Sequence, residues 1–301
     1  MKIFAPKYYK DFKCAASNCT HSCCIGWEID VDENTLLKYS NLTSGYGKQI
    51  NESITPLPTP HFALAKNGNC VHLDENGLCK IICNLGEEYL CEICKEHPRF
   101  YNQTPFGLEV GLGLSCEEAC RIILTSNNYN EFEEVDECDL ELEKLTFNPI
   151  PERNEILSIL STRSPSYSEK LKILQSRYSV SPSVITDEDW HDVLNSLEYL
   201  NDKNKLLFSN YSSTIDKNSQ LDAYLEKALA YFVFRYLSKA QNQAEIKQYL
   251  GLCLFLERLL NSALRANSAL SLSQAIQTAI IVSEEIEYNE DNLDAILFEF
   301  I

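Results

Sequence analysis

Twelve of the thirteen cysteines lie within the first 138 residues, and this crowding constrains the fold more than any other feature of the sequence. The rest of the 301-residue chain holds only Cys253. Cysteines that act only as small buried hydrophobes would be spread more evenly along the chain. The crowding therefore indicates either disulfide bonds or metal ligation in the N-terminal half.

Metal ligation is the better explanation, because the sequence carries no mark of an oxidising compartment. The first thirteen residues lack the apolar core and the small-residue cleavage site of a secretion signal. No apolar run reaches the ~18 residues that a membrane span needs. We therefore expect a cytoplasmic protein, in which reduced thiols remain free to bind metal.

The net charge limits the partners that the chain can have. It is −18, from 26 Lys and Arg against 44 Asp and Glu. A general nucleic-acid binder needs a basic surface, and an anionic membrane repels an acidic protein. We therefore expect neither nucleic acid nor a membrane as partner, and a cationic partner fits the charge best.

The pattern of apolar residues predicts a mainly α fold with three parts. Residues 1–130 form a cysteine-rich, metal-organised and irregular half with short strands and helices. Residues 131–185 form an acidic and Ser/Pro-rich connector, with loops at 158–168 and 179–183. Residues 186–301 form a helical bundle, which begins at a capping-box pattern and has helical periodicity over 222–240, 244–266, 272–287 and 293–300.

The spacing of the cysteines is typical of metal ligands. Two residues separate Cys91 from Cys94, a loop short enough for both sulfurs to face one metal. Ser115 and Glu118 have the spacing of a capping box, which would make Cys116 the first residue of a helix and favour its thiolate. Thiolates select zinc or iron–sulfur clusters, and one site needs about four of them. Cys83, Cys138 and Cys253 are predicted to be unligated.

Several motifs occur in an order that resembles the flagellin lysine-N-methylase family, which belongs to a wider group with a zinc- or iron-chelating cysteine domain of CxxCxxCC type. The resemblance covers about residues 5–125. The motifs are Cys19-Thr-His-Ser-Cys23-Cys24-Ile-Gly26-Trp27, Cys70-Val-His-Leu73, Gly77-Leu-Cys79, Gly86-Glu-Glu-Tyr-Leu90, Cys94-Lys-Glu-His-Pro98-Arg99 and Leu114-Ser-Cys116.

This resemblance implies an enzyme that transfers methyl groups from S-adenosylmethionine to lysine side chains of flagellin. It also implies an iron–sulfur cluster, of the 4Fe-4S type, with zinc as the alternative metal. The cysteines that match the family pattern are Cys14, Cys19, Cys23, Cys24, Cys70, Cys79, Cys94 and Cys116. Eight thiols exceed the need of one cluster, so either two metal centres are present or some of the eight are structural.

The sequence identifies no catalytic residue and no residue that binds S-adenosylmethionine. The C-x3-C-x2-C spacing of radical enzymes is absent, since Gly26 stands where a third cysteine would follow Cys23. No G-x-G-x-x-G motif follows a predicted strand, and the Gly-rich segment from Gly107 to Gly113 is predicted as a short strand or turn before the Cys116 helix. A non-catalytic iron- or zinc-chelating module, or an adaptor that uses its helical half for protein contacts, is the alternative function.

Overall fold

The computed structural model describes residues 1–139, 144–180, 185–214, 219–266 and 271–301. The strands are β1 (Lys2–Pro6), β2 (Ile29–Asp30), β3 (Ile54–Thr55), β4 (His61–Phe62), β5 (Arg99–Thr104), β6 (Gly107–Leu112) and β7 (Phe132–Glu137). The helices are α1 (Glu33–Ser40), α2 (Gly45–Ser53), α3 (Lys80–Leu85), α4 (Glu92–Glu96), α5 (Glu117–Thr125), α6 (Ile150–Ser161), α7 (Tyr167–Tyr178), α8 (Asp187–Ser196), α9 (Asp202–Phe208), α10 (Ser219–Tyr236), α11 (Gln243–Ala266), α12 (Leu272–Val282) and α13 (Glu290–Phe298). The prediction of a mainly α fold is confirmed.

The chain divides into two compact units. The larger unit consists of Met1–Phe12 and Arg99–Ile301, and the smaller unit is Lys13–Pro98. The sequence assigns β1, β5, β6 and α5 to a cysteine-rich part that ends at residue 130, whereas in the structure they belong to the larger unit. The reason is pairing at long range: β1 lies beside β6 in one sheet, and α5 packs against α10 and α12.

A four-stranded sheet in the order β5-β6-β1-β7 ties the N-terminus into the larger unit. Strand β1 runs parallel to β6 and antiparallel to β7. Residues 131–143 are predicted as a solvated connector. In the structure, Phe132 packs against the core and is the first residue of β7. Residues 140–143 of that acidic run lie outside the described residues. Lysines near the N-terminus pair with the carboxylates of this region, in the pairs Lys2–Glu134 (2.6 Å), Lys7–Glu131 (2.5 Å) and Lys10–Glu133 (3.1 Å).

Helices α10 and α11 contribute more residues to the apolar core of the larger unit than any other pair of its helices. The helix predicted over 244–266 corresponds to α11. Its Leu, Phe and Cys side chains are buried on nearly every face of the helix. Helix α8 begins at the predicted capping box, in which the Asp189 N–H donates to Thr186 Oγ1 at 3.1 Å. Among the described helices, none combines the length and the apolar character needed to cross a membrane.

The Ser/Pro-rich stretch 158–168 is more helical than its sequence predicts. Helix α6 continues to Ser161, and α7 begins directly after Ser166. Ser166 and Glu169 form a capping box, with the Ser166 backbone N–H donating to Glu169 Oε2 at 2.9 Å. Of the second predicted loop, 179–183, Ser179 ends α7 in a left-handed conformation, and 181–183 lie outside the described residues.

Several charged side chains lie inside the larger unit. Arg153 on α6 is 2% exposed and donates from Nη1 to Glu109 Oε2 on β6 at 2.5 Å. Glu257 on α11 is 1% exposed, and among the described residues its Oε1 has no hydrogen-bond partner. Burial raises the pKa of Glu257 to about 7. Each buried charge costs free energy that a partner or a bound proton must offset.

The smaller unit has little regular structure and a small core. Its sheet has the order β2-β4-β3, and each of these strands is two residues long. Helices α1 to α4 surround it. The buried core consists of Ile29, Val31, Tyr39, Ile50, Phe62, Cys70, Ile81 and Cys91. A unit of this size buries only a modest fraction of its surface, so its apolar core alone supplies limited stability.

Candidate metal centre

Five thiols of the smaller unit share one apolar cluster. Cys70 and Cys91 are buried in the core, and Cys24, Cys79 and Cys94 pack half-buried against it. All thirteen cysteines lie among the described residues, and none of them forms a disulfide bond there. The cluster brings together cysteines that are up to 70 positions apart in sequence, from Cys24 to Cys94.

Backbone contacts between loops position these thiols. The Cys70 N–H donates to the Cys24 carbonyl at 2.7 Å, which joins two segments far apart in sequence. Cys79 forms a β-bridge with Leu73 across a turn, and the turn requires Gly77 because its φ is +76°. Cys79 and Cys91 then stand immediately before the short helices α3 and α4.

The thiols influence one another electrostatically. Burial, together with the smaller effects of Cys24, Cys79 and Cys91, raises the pKa of Cys70 to about 11. The pKa of Cys94 is raised by its hydrogen bond with Cys91, then by burial and by the charges of Cys91, Cys24 and Cys70. Because each new thiolate disfavours the next, the cluster can ionise fully only with a cation among its sulfurs.

Two of the five thiols have a lowered pKa even without a metal. The hydrogen bond from Cys23 lowers the pKa of Cys24 to about 7. The hydrogen bond with Cys94 lowers the pKa of Cys91, and Tyr39 contributes a second hydrogen bond while burial opposes both. Thiolates are the form in which cysteine binds metal. The cluster therefore contains one thiol, Cys24, that is partly ionised near neutral pH, and a second, Cys91, whose pKa is shifted in the same direction.

Three predicted ligands lie away from this core. Cys14 and Cys23 are exposed and Cys19 is half-buried, and none of the three packs against the small core. Cys23 contacts the cluster through its hydrogen bond with Cys24. The structure therefore brings together Cys24, Cys70, Cys79 and Cys94 from the predicted set and keeps Cys14 and Cys19 outside the cluster.

Cys116, the eighth predicted ligand, belongs to the larger unit. It is the residue before α5 rather than its first helical residue, and the predicted Ser115 capping box is absent because no side-chain bond caps this helix. Its side chain is half-buried against the larger core, near the buried thiol of Cys120. Cys120 donates to the Ile276 carbonyl at 3.8 Å, as a packed thiol does.

Cys91 is the cluster member that the family resemblance leaves out. It is 1% exposed and 3.8 Å from the Tyr39 hydroxyl. The signal that identifies it is local: a C-x2-C spacing at the start of a helix places both sulfurs on one side of the first turn. The spacing and the resemblance therefore differ on Cys91, and its role as a metal ligand stays a prediction.

His72 lies beside the cluster but is committed to other partners. Its backbone N–H donates to Cys70 Sγ at 3.5 Å. Its Nδ1 lies 2.7 Å from the Tyr46 hydroxyl and its Nε2 lies 2.9 Å from Ser53 Oγ. Burial lowers the pKa of His72 to about 4, so the ring is neutral at physiological pH. His72 is therefore a packing residue, as its sequence context suggests.

The donor set fits a soft metal in chemistry, although the side chains are not in coordination geometry. Over the ranges that the structure describes, no three Cys, His, Asp or Glu side chains converge closely enough to hold one ion. Five thiols in an apolar setting are nevertheless the donors that zinc and iron–sulfur clusters select. Ligation would require rotations of these side chains within a preformed cluster.

Three curated proteins are similar to this chain. The flagellar biosynthetic protein FliU of Salmonella muenchen is 31% identical over 129 residues, which are 40% of this chain and 76% of FliU. The lysine-N-methylases of Salmonella choleraesuis and Salmonella typhimurium are each 29% identical over 136 residues. Those residues are 40% of this chain and 32% of each lysine-N-methylase, so the match spans about a third of their length.

No model of a protein family and no solved structure matches the chain. The similarity to FliU, however, extends over three quarters of that protein. Together with the two lysine-N-methylases, this similarity establishes that the chain belongs to the flagellin lysine-N-methylase family.

Proposed function

We propose that the chain methylates lysine side chains of flagellin, with S-adenosylmethionine as the methyl donor. The observation that carries the proposal is the similarity to two proteins named lysine-N-methylase and to a flagellar biosynthetic protein. The net charge of −18 supports a cationic protein substrate, because opposite charges favour encounter.

The reaction is a displacement at the methyl carbon. The neutral lysine nitrogen attacks this carbon with its lone pair, the carbon–sulfur bond breaks, and its electrons stay on the sulfur of S-adenosylhomocysteine. The ammonium form of lysine must first lose a proton to a base. The protein has to align nitrogen, methyl carbon and sulfur, and to exclude water from the site.

We further propose that the smaller unit holds an iron–sulfur cluster, with zinc as the alternative. The residues that would hold it are drawn from Cys24, Cys70, Cys79, Cys91 and Cys94, and a 4Fe-4S cluster needs four of these thiols. Such a cluster would supply covalent cross-links to a core that is small. A cytoplasmic location belongs to the same proposal, because thiolate ligands persist under reducing conditions.

The test is methyl transfer by anaerobically purified protein. The protein is incubated with S-adenosylmethionine labelled in the methyl group and with flagellin, and the label is located by hydrolysis and mass spectrometry. We expect label on lysine nitrogen. Flagellin whose lysines have been acetylated is the matched control, because acetylation removes the nucleophile.

A non-catalytic chelating module is the second candidate, favoured by the concentration of five thiols in the smaller of the two units. Protein that contains its full metal complement and transfers no label to flagellin would overturn the methyltransferase proposal and support this second candidate. Label on lysine would exclude it.

A further inference from the structure

Aromatic rings surround one arginine of the larger unit. The guanidinium carbon of Arg235, near the end of α10, lies 4.8 Å from the ring centre of Phe100 and 5.3 Å from that of Tyr288. The ring centres of Tyr236 and Tyr231 lie at 5.5 Å and 6.0 Å. Four rings at these distances form a site that stabilises a cation through its contacts with π faces.

A buried carboxylate completes this site, and it is satisfied on one side only. Glu287 Oε1 accepts from the hydroxyls of Tyr236 (2.7 Å) and Tyr231 (3.0 Å), and Arg235 Nε lies 3.6 Å from it. Glu287 Oε2 is equally buried and has no hydrogen-bond partner among the described residues. A buried carboxylate oxygen without a donor is costly, so Glu287 Oε2 is able to accept from a donor that the described residues do not supply.

The site lies beside a π-helical segment and borders the surface. Glu287 is the last residue of the π-helical segment Ser283–Glu287, and such segments occur frequently at functional sites. Tyr288, the next residue, is 47% exposed, so one wall of the ring-lined site lies at the surface. The Arg235 side chain is 12% exposed and is the group that a ligand entering past Tyr288 would displace.

We propose that the rings of Phe100, Tyr231, Tyr236 and Tyr288, together with Glu287, bind the ammonium group of an N-methylated lysine side chain, and that Arg235 fills this site when no such cation is bound. The inference rests on the proposed function, which supplies the methylated lysine. Methyl groups on the nitrogen spread the positive charge and contact the rings, while the remaining N–H of a mono- or dimethylated ammonium donates to Glu287 Oε2.

The experiment measures binding without methyl transfer. The probe is blocked dimethyllysine, and its affinity is determined by calorimetry for the wild type and for Arg235→Ala. We expect Arg235→Ala to bind about tenfold more tightly or better, because the apparent affinity for a filled site is reduced by the fraction of time that the site is open. A neutral carbon isostere of the probe should bind neither protein.

Lys239→Ala is the matched control. Lys239 also places its Nζ over the Tyr236 ring, at 5.4 Å, but it makes no ion pair with Glu287. Its removal should leave the affinity for the probe at the wild-type level. Trimethyllysine is a further probe. It has no N–H to donate to Glu287 Oε2, so it should bind Arg235→Ala more weakly than dimethyllysine does.

If Arg235→Ala fails to fold, the double variant Arg235→Ala/Glu287→Gln removes both members of the buried pair and is measured with the same probe. It should still prefer dimethyllysine over the neutral isostere, because the rings remain. Folded variants that bind no more tightly than the wild type, or that bind the isostere equally well, would overturn the inference. Flagellin methylation by the wild type is a separate measurement, so either proposal can fail alone.

Discussion

At the scale of single residues, Cys91 and Cys94 carry the clearest prediction about metal. Cys91→Ser replaces a soft thiolate by a hydroxyl, which is a poor ligand for zinc and iron–sulfur clusters. We expect the iron, zinc and sulfide content of anaerobically purified protein to fall strongly. Cys83→Ser is the control, because Cys83 is an exposed thiol on α3. Equal loss of metal from both variants would contradict the assignment of Cys91.

Glu257 makes the stability of the protein depend on pH. Burial raises its pKa from 4.5 to about 7, and Asp222 raises it too, while Tyr167, Arg258 and Arg265 lower it. The folded protein therefore holds a proton that the unfolded chain has already lost between pH 4.5 and 7. As the pH rises through this window, Glu257 lowers the free energy of unfolding, and below pH 4.5 it has no such effect.

We expect Glu257→Gln to remove this dependence. Relative to the wild type, the variant should gain on the order of 2 kcal/mol in free energy of unfolding between pH 5 and pH 8. Urea unfolding at the two pH values measures the change. Glu290→Gln, at an exposed position on α13, should run parallel to the wild type. A constant difference between Glu257→Gln and the wild type would show that Glu257 does not titrate in this window.

At the scale of elements, the local sequence predicts structure well where burial is uniform or capping signals are strong. Helix α11 and the start of α8 at Thr186 follow directly from such patterns. The sequence did not predict the capping box at Ser166, because this serine lies in a Ser-rich stretch and serine is common in turns as well as at helix starts. Helix α5 begins one residue after Cys116, whereas the motif predicts Cys116 as the first helical residue. Helix boundaries depend on backbone geometry that the motif does not contain.

Strand β7 shows how tertiary pairing overrides a charge pattern. Its glutamates look like a solvated run, and they could attract a cationic substrate. In the structure, however, Lys2 and Lys7 each form a short ion pair with this segment, at 2.6 Å to Glu134 and 2.5 Å to Glu131. The charges of these paired carboxylates are thereby balanced locally, so they contribute little to the field that a distant substrate meets.

We therefore expect these glutamates not to steer the substrate. The rates of flagellin methylation should fall with increasing salt to the same extent in the wild type and in a variant with Glu131, Glu133 and Glu134 changed to Gln. Initial rates across an ionic-strength series give the comparison. A flatter salt response in the variant would show that these carboxylates attract substrate despite their lysine partners.

At the scale of the whole molecule, the division into units was the least predictable feature. Residues 1–12 precede the first cysteine and share no local pattern with the helical half. Their place in the larger unit depends on β1 pairing with β6, where Ile3 lies opposite Leu108. Contacts over such a separation in sequence produce no periodic pattern. The mainly α character, by contrast, is visible in the helical periodicity, and the clustering of Cys24, Cys70, Cys79 and Cys94 is visible in their motifs.

Removal of metal should affect the two units unequally. If ligation organises Lys13–Pro98, its free energy is part of the folding free energy of that unit. After treatment with a chelator and a reductant, we expect amide hydrogens of this unit to exchange rapidly, while those of α10 and α11 stay protected. Hydrogen exchange followed by mass spectrometry resolves the two. Simultaneous loss of protection in both would contradict an independent role of metal in the smaller unit.

The smaller unit enters the chain at one place, between Phe12 and Arg99. Arg99 donates from Nε to the Tyr9 hydroxyl at 2.9 Å, and its guanidinium carbon lies 5.7 Å from the Phe12 ring centre. Phe12 and Arg99, the two residues of the larger unit between which the smaller unit is inserted in sequence, are thus neighbours in space. In genetic terms, one insertion into a single loop of an uninterrupted gene would produce this arrangement, and neither flanking strand would have to change its partner.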